Sequence, residues 1–367
     1  MPTSRFNKLL HWWARWERHF SVASMVLGFS FDLIIAKRPD NVYDNILLLS
    51  YLLASATIIV LINLRARRAS ALPAAEPLLL LLLLQFCFGG LSSNLLILYG
   101  KSGTPAGNLV FIGLLFAILI GNEFLRTRYA QNRFNIAVYY LLLLTYSTIA
   151  VPTFILHSIG PIQFFASGAL SLIIAALFLF ILGNSTKIFR GKIGLRLLGE
   201  SVGIIAGVYL VFNILYFGQL IPPVPLSLKD IGIYHFVAKS DTVGYVGIYE
   251  PTPWWDFWQT TSGVFTLATS SIAYCFSSVF APTGLTTPIK HEWYYLDPAT
   301  NQWVLRATIT YPIVGGNSVG YKGFSEKGVT PGQWRCSVET AQNQIIGQAT
   351  FTVATSTVSP MLLTREM

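Results

Sequence analysis

Few residues of this 367-residue chain stand where chemistry could be done, and most are polar groups inside oily runs. Asp32 lies about one helical turn from the end of such a run, with Lys37 and Arg38 just beyond it. Glu200 lies one turn into another run, four residues after Arg196. An ionisable group in hydrocarbon is costly and is characteristically kept where it binds or passes a proton, an ion or a substrate. The plainer role for each is an ion pair: Asp32 with Lys37 or Arg38, and Glu200 with Arg196 at helical i,i+4 spacing. Gln85, Asn94 and Asn213 are placed to hydrogen-bond between helices without any ligand.

Outside the oily runs, Trp254-Trp255-Asp256-Phe257-Trp258 is the most unusual local feature. Three indoles and a phenyl ring in five residues could stack on sugars or on a partner's apolar surface. They could equally rest in a headgroup layer, where tryptophan is favoured, or cap a core. Trp254, Trp255 and Trp258 are therefore the candidate ligand or interface residues. His235 and His291 have no second histidine or carboxylate at metal-ligand spacing, so core or surface roles are expected. Gly100-Lys101-Ser102 looks like the end of a phosphate-binding loop, but that motif needs glycine where Leu95 stands. Asn184-Ser185-Thr186 fits a glycosylation acceptor on the side assigned below to the cytoplasm, so it is set aside. No HExxH, GxSxG or paired-carboxylate constellation stands out. The reading therefore names no catalytic residue, no metal and no cofactor, and leans away from an enzyme.

The elements that would hold these groups follow from composition. Charged residues make up 11% of the chain and hydrophobic ones 53%, against about 25% charged in a soluble domain. Seven apolar spans are predicted near 19–36, 44–64, 76–99, 106–125, 134–156, 162–182 and 197–220, judged against roughly 20 residues per crossing. Pro152 predicts a kink in the fifth. No inverted repeat or matched pair of broken helices points to a transporter. Ahead of the spans, Leu9, Trp12, Trp13, Trp16 and Phe20 recur on one helical face and Lys8, His11, Arg15 and Arg18 on another. Such a helix lies in the headgroup layer, so residues 1–18 are read as an interfacial segment. The first span, with no cleavage site after it, is expected to stay as an uncleaved anchor.

Charge decides orientation. Residues 1–220 carry 17 Lys/Arg against 7 Asp/Glu, and residues 221–367 carry 8 against 9. The net +9 therefore sits in the oily half, which excludes a basic nucleic-acid groove on a water-facing domain. The N-terminus and alternate loops hold fourteen cations and the opposite loops three, Lys37, Arg38 and Lys101. By the positive-inside rule the N-terminus is cytoplasmic and the C-terminal half lies outside.

After the run Leu197–Pro225, which ends in three prolines within four residues, the period changes. Residues 221–226 are read as a stiff proline-rich linker. Trp303, Leu305, Ala307, Ile309 and Tyr311 alternate with polar neighbours, and Asp297-Pro298-Ala299-Thr300-Asn301 is turn chemistry. Further strands are predicted near 232–238, 242–249, 272–280, 289–296, 334–338 and 345–353. Seven or eight short strands suggest an all-β, immunoglobulin-like sandwich over 227–358, with 359–367 as a tail. Cys87, in the third span, is a small core residue. Cys275 and Cys336 both fall in predicted strands on the oxidising side. A disulfide is chemically permitted if both face the core about 5.5–6 Å apart at Cα. Parity sets Cys336 inward and leaves Cys275 undecided, so two buried free thiols is the reading taken, with the bond as the alternative.

The runs CFSSVFAPTGLTTPIKHEWYYLDPATNQW and YPIVGGNSVGYKGFSEKGVTPGQWRCSVETAQNQIIGQATFTV resemble the bacterial domain of unknown function 2914. The segment PPVPLSLKDIGIYH resembles the linker that precedes this domain in multi-span members. Glu17-Arg18-His19 and Gly28-Phe29-Ser30-Phe31-Asp32 are similar to such members more weakly. The resemblance implies a bacterial inner-membrane protein with an outward β-domain, and carries over no catalytic residue. It also implies an aliphatic residue where this chain has Cys336. The expected function is a β-sandwich binding or assembly module, tethered to the bilayer, for an envelope protein or a glycan. The alternative is a small-solute transporter or channel-like bundle with the β-domain as regulator.

Overall fold

The computed structural model describes residues 32, 38–69, 78–102, 109–124, 132–240, 244–252, 261–267, 272–356 and 359–367. The interfacial segment 1–18, the first span apart from Asp32, and Trp254, Trp255 and Trp258 lie outside the described residues. The chain divides into two compact units.

The first unit is helical. Its elements are α1 (Val42–Ala69), α2 (Leu78–Gly100), α3 (Leu109–Phe124), α4 (Asn132–Ala150), α5 (Pro161–Thr186) and α6 (Gly191–Phe217). Five of these regions are long and apolar enough to cross a membrane, while α3 has 16 residues. Their apolar side chains face outward as well as inward: Leu53, Phe86, Ile162, Phe180 and Ile214 are all exposed. A helix apolar on every side needs an apolar surround. Inside, Tyr99, Phe111 and Phe212 form a chain of rings 4.8 and 5.5 Å apart. Neighbours alternate in direction. Tyr146, near the end of α4, donates to Asn45 near the start of α1 (3.3 Å), and Phe164 of α5 stacks at 3.7 Å on Tyr216 of α6. The kink predicted at Pro152 is a π-helical turn, Val151–Leu156. Proline removes a backbone donor from the ladder, and a wider turn accommodates that.

The second unit comprises Gln219–Met367 together with Gly100–Leu109 and Pro152–Pro161. Among the described residues, eleven strands form three sheets, where a sandwich has two. In chain order they are β1 (Ser227–Tyr234), β2 (Phe236–Ser240), β3 (Gly244–Tyr249), β4 (Val264–Leu267), β5 (Ile272–Phe280), β6 (Thr286–Asp297), β7 (Gln302–Val314), β8 (Tyr321–Gly328), β9 (Gly332–Thr340), β10 (Ile345–Thr355) and β11 (Leu363–Glu366). The sheet orders are β1-β5-β8, β4-β10-β9-β6-β7 and β11-β3-β2. The β1-β5-β8 sheet lies in the middle. Ala273, Cys275 and Val279 of β5 pack against residues of the five-stranded sheet, while Tyr274 and Phe276 pack against Val237, Tyr245 and Tyr249 of the third. That two-sided burial explains why β5 lacks the buried/exposed alternation of an outer strand.

Two expectations are corrected here. The stiff proline-rich linker is instead part of the β unit: Ile221 to Ser227 are all buried, and Leu226 belongs to the core with Val279, Leu285, Ile289 and Ile313. Proline cannot serve a ladder, but its ring and its apolar neighbours fill a core, and here that outweighs any use as a spacer. The assigned tail is also structured, because Leu363–Glu366 pairs antiparallel with β3. Ser102 Oγ donates to the Leu226 carbonyl, and Ile159 packs on the same core, so the loops after α2 and after α4 are built into this unit.

Candidate functional site

The β core holds one polar cluster. β6 alternates Ile289, His291 and Trp293 toward the central sheet, and β5 and β8 present Ser277 and Ser325 to them. Ser277 Oγ and Tyr311 OH each lie 2.8 Å from His291 Nε2 and 3.0 Å from each other. Ser325 Oγ lies 2.9 Å from His291 Nδ1 and accepts a hydrogen bond from Trp293 Nε1 at 3.0 Å. The indole can only donate, and the Ser325 hydroxyl, with one proton and two lone pairs, can accept that bond while pairing with Nδ1 in either tautomer. Burial lowers the His291 pKa to about 3, so the ring stays neutral.

This is serine–histidine contact at nucleophile–base distance, but it does not make a nucleophile. His291 and Ser277 are fully buried, and no carboxylate among the described residues orients the ring. The cluster ties β5, β6, β7 and β8 together through satisfied polar bonds.

Beside it, Cys275 of β5 and Cys336 of β9 form a disulfide with Cα atoms 6.5 Å apart. The free-thiol reading is therefore overturned. Both side chains point into the space between two facing sheets, and the parity left open for Cys275 is inward. The sulfurs and a His291 nitrogen lie within 4.8 Å of one another. That donor set suits zinc when the sulfurs are thiolates, but here they are bonded to each other and both ring nitrogens are engaged. Cys87 is a buried free thiol.

The opposite face of the five-stranded sheet carries a second polar group. Lys290, Glu292 and Tyr294 alternate on β6 beside Glu339, Ser337 and Arg335 of β9. Lys290 donates to Glu292 (3.0 Å) and to Asn343, and Tyr294 donates to the other Glu292 oxygen (2.5 Å). Arg335 lies 3.9 Å over the Trp303 ring. Burial, and to a lesser degree the charge on Glu292, push the Glu339 carboxyl above its usual range. Sequence reading missed these two neighbouring carboxylates because they are 47 positions apart; only the β6–β9 register joins them. His235, expected to stand alone, contacts Glu250 at 2.8 Å and stacks on Phe265. A cleft of about 410 Å³ opens between β1 and β10, lined by Lys229, Asp230, Thr261, Gln348 and Thr350 among others.

In the helical unit, Glu200 pairs with Arg133 at 2.6 Å and with the expected Arg196 at 3.2 Å. Asp32 interacts with Ser93 and Asn94 of α2. Glu200 and Tyr99 lie at different levels of the bundle. Arg133 begins α4, whereas Tyr99, five residues beyond Asn94, bonds to Thr145 and Thr148 (3.0 and 2.6 Å) near its other end. At 1.5 Å per residue that is a separation of about 20 Å along α4. Asn94 and Asn213 turn their amide nitrogens back to carbonyls of their own helices, Gly90 and Tyr209, rather than across to a neighbour. Gln85 is buried. The interhelical amide pair is instead Asn63 with Asn132, at 2.7 and 2.6 Å.

Compared with known proteins, residues 286–353 match the family model described as "Protein of unknown function (DUF2914)". The match runs from β6 into β10, so it includes His291, Trp293 and Cys336 and leaves Cys275 outside. No curated protein matches the chain. Among solved structures, the Pseudomonas fluorescens alkylpurine DNA glycosylase AlkC bound to DNA containing an abasic site analog is similar at 10% identity. That comparison covers 85% of this chain and 99% of the other, with a TM-score of 0.20. A score that low establishes no shared fold, and nothing about DNA follows from it.

Proposed function

We propose that this chain is a multi-span inner-membrane protein of a bacterial envelope that presents its β unit outside the cytoplasm as a binding or assembly module. The observation that carries the reading is the crowding of cations into alternate loops. Two features of the fold support it. The loops after α2 and α4 share a compact unit with the strands, as alternation across a bilayer requires. The Cys275–Cys336 bond suits an oxidising compartment. The fully buried Trp293, beside a disulfide between facing sheets, supports the immunoglobulin-like comparison.

As a binding module, the unit offers the cleft between β1 and β10, whose mixed lining of Lys229, Asp230, Gln348 and apolar side chains suits an envelope protein or a glycan. Trp254, Trp255 and Trp258 are retained as candidate interface residues on their sequence alone. A photo-crosslinking residue at Gln348 of the full-length protein in cells is expected to yield a discrete adduct. The same residue at exposed Thr308 on β7 is expected to yield none. Equal, diffuse labelling at both positions, or none at either, would contradict a binding role for this cleft.

The second reading, a small-solute transporter or channel-like bundle with the β unit as regulator, is favoured by one observation: the contact of Asp32 with Ser93 and Asn94.

A further inference from the structure

Three side chains able to hold a metal meet in the core of the β unit. Cys275 of β5, His291 of β6 and Cys336 of β9 are fully buried, and the two sulfurs and a ring nitrogen lie within 4.8 Å of one another. Strand register brings them there. Cys336 stands opposite Trp293, two residues along β6 from His291 and on the same face, while Cys275 comes from the facing sheet. The cysteines sit in an apolar cluster with Ile233, Phe265, Trp293 and Phe351, so an ion placed there must be neutralised by its own ligands. The imidazole is held from both sides, by Ser325 Oγ at 2.9 Å from Nδ1 and by Ser277 Oγ and Tyr311 OH at 2.8 Å from Nε2. Whichever nitrogen turns to a metal, the other keeps a hydroxyl that fixes the ring, the arrangement usual for metal-bound histidine.

In the oxidised chain the bond between the sulfurs closes this set. A dithiol reductant opens it: two electrons and two protons pass to the disulfide, leaving two cysteine thiols, and the reductant departs as its own disulfide. A divalent ion then displaces both thiol protons and is bound by two thiolates and a neutral imidazole. Sulfur ligands select zinc or copper(I). Two thiolates cancel the charge of zinc, whereas copper(I) would leave the apolar core with a net negative charge. Two sulfurs at roughly 2.3 Å from one zinc stand about 3.8 Å apart in a tetrahedron, a spread that fits inside the 4.8 Å spanned by the three ligand atoms. Three protein ligands leave a fourth position for a hydroxyl of the cluster or for water. We propose that Cys275, His291 and Cys336 bind zinc whenever the two cysteines are reduced, so that the same core is tied by a metal before oxidation and by a disulfide after it. Because all three ligands are buried, the ion enters while the facing sheets are still apart, in the newly made chain. The site is independent of whatever the cleft between β1 and β10 binds.

The test uses the full-length protein in detergent, reduced with a dithiol in urea and returned anaerobically, with zinc or cobalt(II) chloride, to buffer free of both. After desalting, the reduced chain is expected to retain one zinc and the oxidised chain none. With cobalt, the reduced chain is expected to show a thiolate charge-transfer band in the near ultraviolet and the intense visible bands of a tetrahedral ion. Zinc is also expected to raise the melting midpoint of the reduced chain, as a ligand of the folded state does. H291Q is expected to weaken zinc binding by more than the roughly 10–100-fold lost with a group that only supports a ligand. C275S is expected to abolish binding, and C87S, which removes the thiol of the helical unit, to retain it. Should the reduced chain be unfolded without metal, zinc is expected to restore a cooperative transition in the wild type and not in H291Q. No zinc on the reduced wild type, or equal affinity in H291Q, overturns the proposal. So does a midpoint lowered by zinc, the mark of a metal held by unfolded thiols.

Discussion

His291 shows what one buried titratable group does to the β unit. Its ordinary pKa of 6.5 is lowered to about 3 by desolvation. The unfolded chain therefore binds a proton below pH 6.5 that the folded chain refuses. Stability carried by the neutral ring is complete above pH 6.5 and drains as pH falls toward 3. At pH 5 the loss from this residue is about 2 kcal/mol. Glu339 acts with the opposite sign. Its carboxyl is raised, so the folded state takes up a proton first and gains stability as pH falls through its folded pKa. Comparing wild type with H291Q isolates the histidine. The melting midpoint of the wild type is expected to fall more steeply than that of H291Q between pH 7 and pH 5, by thermal unfolding at fixed salt. Parallel curves would mean that His291 is not the group being charged.

At the level of elements, the covalent tie between β5 and β9 closes a long loop, its cysteines lying 61 positions apart. Closing a loop of that length stabilises the fold by about 4 kcal/mol in the chain-entropy model. C275S/C336S is expected to lower unfolding free energy by an amount of that order, measured by denaturant titration against the non-reduced wild type. A change below about 1 kcal/mol would mean that the core alone holds the sheets together. Strands with a strong local signal were legible: β5 falls at 272–280 as predicted, and β6, β7, β9 and β10 extend their predicted cores by a few residues. β4, β8 and β11 were not. β4 and β11 have four residues each, and β8 reads YKGFSEKG, with two glycines and three charges. Such segments become strands because a partner edge is waiting, and that is a tertiary fact. The His291 cluster was illegible for the same reason, since its members come from four strands at positions 277, 291, 311 and 325. The six helices from Val42 onward were legible because a continuous apolar run is itself the signal.

At the scale of the whole molecule, a long apolar bundle precedes an all-β unit whose residues 286–353 carry the matched domain. The proposal that joins them is an orientation. The idea of an envelope partner depends on which side of the bilayer the strands occupy. A reporter can be placed after Met367, which pairs with Tyr245 through reciprocal backbone bonds (2.8 and 3.2 Å). Fusions after Met367, one to alkaline phosphatase and one to green fluorescent protein, give opposite readouts. Phosphatase activity without fluorescence is the result expected for β strands outside the cytoplasm. Fluorescence without phosphatase activity would contradict the account at its centre.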